Sequence, residues 1–369
     1  MKRRSWTTIG TLGIAAAALT LTACGSGTDA ADVEVDTDAL AAAQKIVDEY
    51  SADVSEDELP TGTTEVASDK LIVTVPCAYA AENCKLGVDS FADAADALGW
   101  TTKMIDPAGS PDAARAAIQT AINIGADGIF FMAADGRALA DDLAEARDAG
   151  IVTVNVQGGE NPDGVFDSAI DPSPTGMGRL LAAAITVQSE GTAKALLIND
   201  SEFSAVVDIH EGLSDGLDEL CPSCTVTDEL DFQIADLSTG LPTQVESALA
   251  GNPDTDVVWA AYDAAAQSIS PVIERSANGD AISMVSTDGL QANLEDVQDG
   301  GIQTADVAAS SPWMAWQSAD LMNTLFTGGT VDAEVAAPYK LMTADTITTI
   351  PWDGDVDWQG AYETRWGVR

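Results

Sequence analysis

Histidine is almost missing from this chain, and positive charge is scarce. One His and 16 Lys or Arg stand against 60 Asp or Glu, a formal charge of −44 over 369 residues. A protein that grips a nucleic-acid backbone needs a basic face, so that class is excluded. Electrostatic docking to anionic lipid is disfavoured for the same reason. With His210 alone and no second close pair beside Cys221 and Cys224, the usual zinc ligand sets are not available. The His-Glu-x-x-His helix and the Gly-x-Gly-x-x-Gly fingerprint are absent. No cofactor and no metal are implied. After the first two dozen residues no apolar stretch approaches the roughly 18 residues that a membrane span requires. The acidity speaks to solubility and environment more than to fold, and a high-salt habitat that screens self-repulsion is one source of it.

What is present begins with an address. Lys2, Arg3 and Arg4 precede an apolar stretch from Ile9 to Leu21, followed by Leu21-Thr22-Ala23-Cys24-Gly25. This reads as an export signal over residues 1–23. Small residues before Cys24 resemble a bacterial lipoprotein signal, in which cleavage leaves Cys24 lipidated as the first residue. An exported chain at the outer face of the cell membrane or in a periplasm is expected. Of five cysteines, removal of Cys24 leaves Cys77, Cys84, Cys221 and Cys224, an even set in a disulfide-permissive compartment. Four cysteines allow three pairings. The local pairs Cys77–Cys84 and Cys221–Cys224 are the expected ones. Cys221-Pro222-Ser223-Cys224 follows a helical pattern and precedes a strand, the reverse of a redox CxxC, so a structural staple is expected. Residues 24–69 read as an acidic tether and strap, with helical spacing over Asp38–Tyr50.

From Lys70 the chain alternates short apolar runs with helical spacing. Strands are expected at Leu71–Pro76, Thr101–Asp106, Asp127–Met132, Ile151–Val156 and Val165–Ile170, and again at Ala193–Ile198, Val226–Leu230, Asp256–Ala261 and Ala281–Ser286. Helical segments fall between them. This is the rhythm of parallel α/β sheets with right-handed crossovers. So many strands exceed one usual sheet, and two α/β domains with a ligand site at the carboxyl ends of their strands follow.

Several stretches carry a more specific likeness: Ala126-Asp127-Gly128-Ile129-Phe130-Phe131, Ala149-Gly150-Ile151-Val152-Thr153-Val154, Val257-Val258-Trp259-Ala260-Ala261-Tyr262-Asp263 and Val285-Ser286-Thr287-Asp288-Gly289. Over about Lys70 to Thr349 the chain resembles ABC-transporter substrate-binding lipoproteins of the ribose/galactose-binding, type I periplasmic-binding-protein family. Similar proteins carry paired cysteines near the first strand and a Cys-Pro-x-Cys turn. The resemblance implies two Rossmann-like domains with parallel-rich sheets, interleaved through a three-crossing hinge. The first would hold residues 70–171 and 311–340, the second 172–310 and 341–369, with crossings near Asp171–Pro174, Ser310–Pro312 and Tyr339–Leu341. It further implies a non-enzymatic monomer that captures a sugar or similar small polar molecule in the interdomain cleft. Closure would present that ligand to an ABC permease in the membrane. A lipoprotein feeding a membrane sensor and a secreted enzyme using a carboxylate pair are the alternatives.

Strand-end positions supply the expected ligand contacts: Tyr79, Asp135 and Gln157 on one side, Phe203, Tyr262, Asp263 and Asp288 on the other, and Trp313 past a hinge crossing. Flat rings suit a C–H face, and planar polar groups suit hydroxyls. Asp135 and Asp263 are equally placed to cap the helices that follow them. The Asp-Arg pair that sugar-binding relatives carry after the fourth strand is replaced by Gln157-Gly158, and the helix at Ala205–Leu213 has no Arg. A small neutral polar ligand, such as a sugar, a polyol or a nucleoside-like compound, fits a cleft without a basic cluster better than an anion does.

Overall fold

The computed structural model describes residues 35–368. The export segment, Cys24 and most of the tether lie outside them. Helix α1 (Thr37–Tyr50) comes first, with Asp36 capping its amino end through its side chain. The strap then leads into β1 (Leu71–Val75), α2 (Glu82–Ala97), β2 (Thr101–Met104), α3 (Pro111–Ile124), β3 (Gly128–Met132), α4 (Gly136–Asp148), β4 (Val152–Val156) and β5 (Ser168–Asp171). After a crossing come α5 (Pro174–Gln188), β6 (Lys194–Asn199), α6 (Ser204–Leu220), β7 (Thr225–Asp231), α7 (Gly240–Gly251), β8 (Val257–Ala260), α8 (Asp263–Glu274), β9 (Ser283–Asp288), α9 (Gln291–Asp299) and β10 (Gln303–Ala309). The chain ends with α10 (Ser311–Phe326), β11 (Glu334–Ala336), β12 (Tyr339–Met342) and α11 (Trp358–Trp366).

Two six-stranded sheets result, ordered β11-β5-β4-β3-β1-β2 and β12-β10-β9-β8-β6-β7. Every pairing is parallel except β10 with β12. Helices cover both faces, so the central strands are buried throughout and read as continuous apolar runs, as in Gly128–Met132 and Val257–Ala260. The chain passes from the first sheet to the second after β5, back after β10, and over again between β11 and β12. These are two α/β layers joined by a three-crossing hinge, the type I periplasmic-binding architecture.

Helices α5 and α6 show how sequence sets a close approach. A Cβ on Gly178 would strike the Ile209 carbonyl, and one on Gly212 would strike the Thr175 carbonyl. Any larger residue would push the two helices apart and loosen the core built on Leu180, Leu181 and Leu213.

The tail corrects one expectation. Ile347 and Trp352 pack with Leu294, Val297 and Met342 beside the second sheet. Helix α11 instead returns to the first: Trp358, Tyr362 and Trp366 share a core with Phe91, Phe130 and Val154. Trp366 stacks on Trp316 of α10 with ring centroids 5.3 Å apart. Helix α10 covers these rings, so this part of residues 341–369 packs with the first sheet. The strap behaves similarly. Val54, Leu59 and Val66 pack on the first core, while α1 buries Ala43 against Ala183 and Leu220 of the second. Both disulfides form locally, Cys77–Cys84 and Cys221–Cys224. Among the described residues no helix is long and apolar enough to cross a membrane.

Candidate functional site

The carboxyl ends of the strands of both sheets face one cavity, whose empty space is about 740 Å³ including solvent at its mouth. The first half contributes the Cys77–Cys84 disulfide, Glu82 and Asn83 at the start of α2, Ala133 after β3, Gln157 after β4 and Asp171 at the end of β5. The second half contributes Phe203, Val206 and Ile209 from the start of α6, Ile234, Tyr262 after β8 and Asp288 at the end of β9. Pro172, Pro174 and Met177 lie along the first crossing between them.

Four expected contacts are brought together here: Gln157, Phe203, Tyr262 and Asp288. The other four are elsewhere. Tyr79 turns away, its hydroxyl donating to Asp89 Oδ1 at 3.1 Å. Asp135 caps α4, accepting from the Arg137 N–H at 2.9 Å. Asp263 is wholly buried, accepting from the Ser286 hydroxyl and from the Leu290 N–H at 2.7 Å. Trp313 is buried in the first core. His210 stacks against Trp259 with centroids 5.6 Å apart, a packing role rather than a chemical one.

Asn83 links the two walls. Its Nδ2 donates to Gln157 Oε1 at 3.1 Å and to Asp288 Oδ1 at 3.0 Å, and its Oδ1 accepts from the Ser311 hydroxyl at 2.6 Å. One amide therefore touches both domains and a hinge crossing. Asn83 is not evident as a site residue in the sequence, although the signal exists: the disulfide through neighbouring Cys84 pins the start of α2 to the end of β1. Asp171 is likewise missed, because a residue before Pro172 reads as hinge. Its Oδ2 accepts from the Gly159 N–H at 2.9 Å. Gly159 has φ +79°, and a Cβ there would sit 3.2 Å from the Ala205 N, so this loop lies close over α6.

Ala133, Gln157 and Asp288 all hold positive φ, at 56°, 53° and 121°. Backbone strain of this kind collects where side chains must be aimed at a ligand. The two rings of the second wall meet edge to face at 6.3 Å. The Tyr262 hydroxyl donates to Asp200 Oδ2 at 2.9 Å, which fixes the ring and leaves its face to the cavity. Burial, with the Asp200 charge beside it, pushes the Tyr262 hydroxyl up.

The cavity is acidic. Burial pushes the Asp171 carboxyl up to about 7, with the Gly159 N–H opposing and the Asp208 and Glu334 charges adding to the rise. Burial also raises Asp288 and Asp263 well above the carboxylate range, and Asp306 adds to both. Asp200 is pushed up to about 6 by burial, against the Tyr262 hydrogen bond. No Lys or Arg lines the cavity. Among the described residues no group of His, Cys, Asp and Glu is arranged to hold a metal ion.

Two α/β halves around a hinge, with a strand-end cavity between them, define a type I periplasmic binding fold. The chain belongs to that family: the profile described as periplasmic binding protein domain matches residues 80–330. Solved structures share the fold at low identity. An ABC transporter solute-binding protein from Agrobacterium vitis, with bound allitol, is 19% identical at TM-score 0.70, over 76% of this chain and 97% of that one. One from Burkholderia graminis, in complex with D-arabinose, is 16% identical at TM-score 0.70, over 78% and 99%. One from Mycobacterium smegmatis, with bound glycerol, is 19% identical at TM-score 0.68, over 76% and 95%. No curated protein matches the chain.

Proposed function

We propose that this protein is the extracytoplasmic solute-binding component of an ABC importer, anchored by lipid on Cys24. It captures a small polar molecule of the sugar, polyol or nucleoside-like class between its two halves and delivers it to a membrane permease. The observation that carries this reading is the Asn83 bridge, one side chain joining Gln157 of the first half to Asp288 of the second across the cavity. Cleft closure and ligand enclosure are thereby coupled. The ligands named for the similar structures, allitol, D-arabinose and glycerol, are in keeping with a wider class than ribose and galactose.

In this reading Phe203 and Tyr262 give flat faces to the ligand's C–H surface, and Gln157 and Asp288 bind its polar groups. The moving bodies are residues 70–171 with 311–338 and α11, and 172–310 with β12. Native mass spectrometry of the full-length chain, followed by release of small molecules, tests the capture step. A stoichiometric polar compound supports it. Substrate turnover, with a product that differs from the compound bound, would refute it.

A further inference from the structure

The cavity wall is rich in acceptors and poor in donors. Glu82 stands at its mouth, Asp288 at the end of β9 and Asp171 at the hinge, while no cation lines it. Most of the donors that a hydroxylated ligand would need are already engaged, the Gln157 amide nitrogen excepted, since only its Oε1 is taken. Both amide hydrogens of Asn83 go to Gln157 and Asp288. The Tyr262 hydroxyl donates to Asp200, and the Thr287 hydroxyl donates to the Ala261 carbonyl at 3.2 Å. Asp171 is the exception on the acceptor side. One oxygen takes the Gly159 N–H, but Oδ1 is shut from solvent in the cavity wall without a partner. A buried carboxyl oxygen in that state is costly unless the bound molecule supplies a donor. Hydroxyls give one donor each and ask for donors in return, whereas an ammonium gives three and asks for none.

We propose that the ligand carries a protonated amine, as an amino sugar or amino polyol does, which Asp171 Oδ1 receives while the carbon skeleton lies against Phe203 and Tyr262. This rests on the capture reading above and narrows its ligand class. The ammonium supplies the positive charge that the cavity wall lacks beside Asp171 and Asp288, and the strongly negative chain concentrates cations at the mouth. The apolar far wall of Val206, Ile209 and Ile234 keeps water from competing for the charged hydrogen bond.

Matched pairs test this directly. Calorimetry and thermal shift on the full-length chain at pH 7.5 would compare D-glucosamine with D-glucose, and 1-amino-1-deoxy-D-sorbitol with D-sorbitol. The amine of a pair is expected to bind at least tenfold tighter. Asp171→Asn should weaken the amine by about tenfold to a hundredfold and leave the alcohol unchanged, the range of a lost charged hydrogen bond. Glu82→Gln, an exposed change that leaves the fold alone, should weaken amines a few-fold and do so less at high salt. Alcohols that bind as tightly as their amines, or an amine preference that survives in Asp171→Asn, would overturn the proposal and leave capture standing. If no member of either pair bound, the amine proposal would fall, while capture would still be decided by the small molecule that native mass spectrometry releases.

Discussion

Replacing Asp171 with Asn should make the empty protein more stable at alkaline pH and do so less in acid. In the unfolded chain Asp171 loses its proton near its ordinary value of 3.8, whereas in the folded protein it holds it up to about 7. Across that window the folded state binds a proton that the unfolded state has released. Stability from this group therefore falls as pH rises from about 4 to about 7, and is level above that. Three units at about 1.4 kcal/mol each set an upper limit of about 4 kcal/mol. Relaxation and water entry reduce such penalties, so about 2 kcal/mol is expected. Asn cannot ionise, and its carbonyl oxygen can still accept the Gly159 N–H. The charges facing this carboxyl, Asp208 and Glu334, are unchanged by the substitution, and their effect disappears with it. Urea unfolding of ligand-free wild type and variant at pH 4.5 and pH 8 gives the comparison. A gain of about 2 kcal/mol at pH 8 that falls to about half, about 1 kcal/mol, at pH 4.5 is the expected result. An equal difference at both pH values, or a variant less stable at pH 8, would refute the reasoning. A carboxyl that costs the fold this much and faces a ligand cavity is the kind of trade expected between stability and function.

Three more outcomes follow from named contacts. Tyr262→Ala should weaken ligand binding by about tenfold or more, because one wall of the cavity loses its ring, with little change in circular dichroism; unaltered affinity in calorimetry would remove it from the site. Replacing Cys77 and Cys84 together by Ser should cost about 2.5 kcal/mol from a loop spanning a sequence separation of 7. It should also weaken binding by freeing Asn83, so a destabilised variant with full affinity would count against the Asn83 bridge. Lys340→Met should cost about 3 kcal/mol. The Lys340 ammonium joins Asp53 of the strap at 2.7 Å and Asp355 of the tail at 3.0 Å while almost wholly buried. Limited proteolysis should then cut residues 51–69 faster, and unchanged cutting would show that this ion pair does not hold the strap.

The fold is legible up to Asp288 because its strands obey a simple rule. Strands covered on both faces must be apolar throughout, and Val73, Phe130, Val154, Leu197 and Val258 announce this without an alignment. The rule fails at β10, which buries Gln303 and Asp306. Most of those polar groups find partners along β10 and on the neighbouring strand: Gln303 Nε2 donates to Asp306 Oδ2 at 3.0 Å and to the Ser286 hydroxyl at 2.7 Å, and Ser286 also meets Asp263, while Asp306 Oδ1 is left without a partner. A polar network of this kind erases the hydropathy signal of the strand that carries it. The tail is obscured for another reason. Trp352 and Trp358 are both evidently buried anchors, but which core each joins depends on where the chain crosses between sheets, and periodicity carries no such information.

The site divides along the same line. Rings at strand ends, Phe203 and Tyr262, are found because a large apolar group beside a turn has few other uses. Carboxylates are harder, since an acid after a strand can cap a helix as well as meet a ligand. Asp135 and Asp263 cap or brace, Asp288 lines the cavity, and spacing alone does not separate them. What separates them is whether their oxygens already have partners inside the fold. Asp263 accepts a backbone N–H and a hydroxyl, whereas Asp171 holds one oxygen without a partner in the cavity wall. Satisfied polar groups keep a structure together, and an unsatisfied buried one stores a preference that a bound donor can relieve. By that criterion, Asp171 ranks above every acid the strand-end pattern points to, and a hinge position becomes the place where ligand chemistry and domain closure meet.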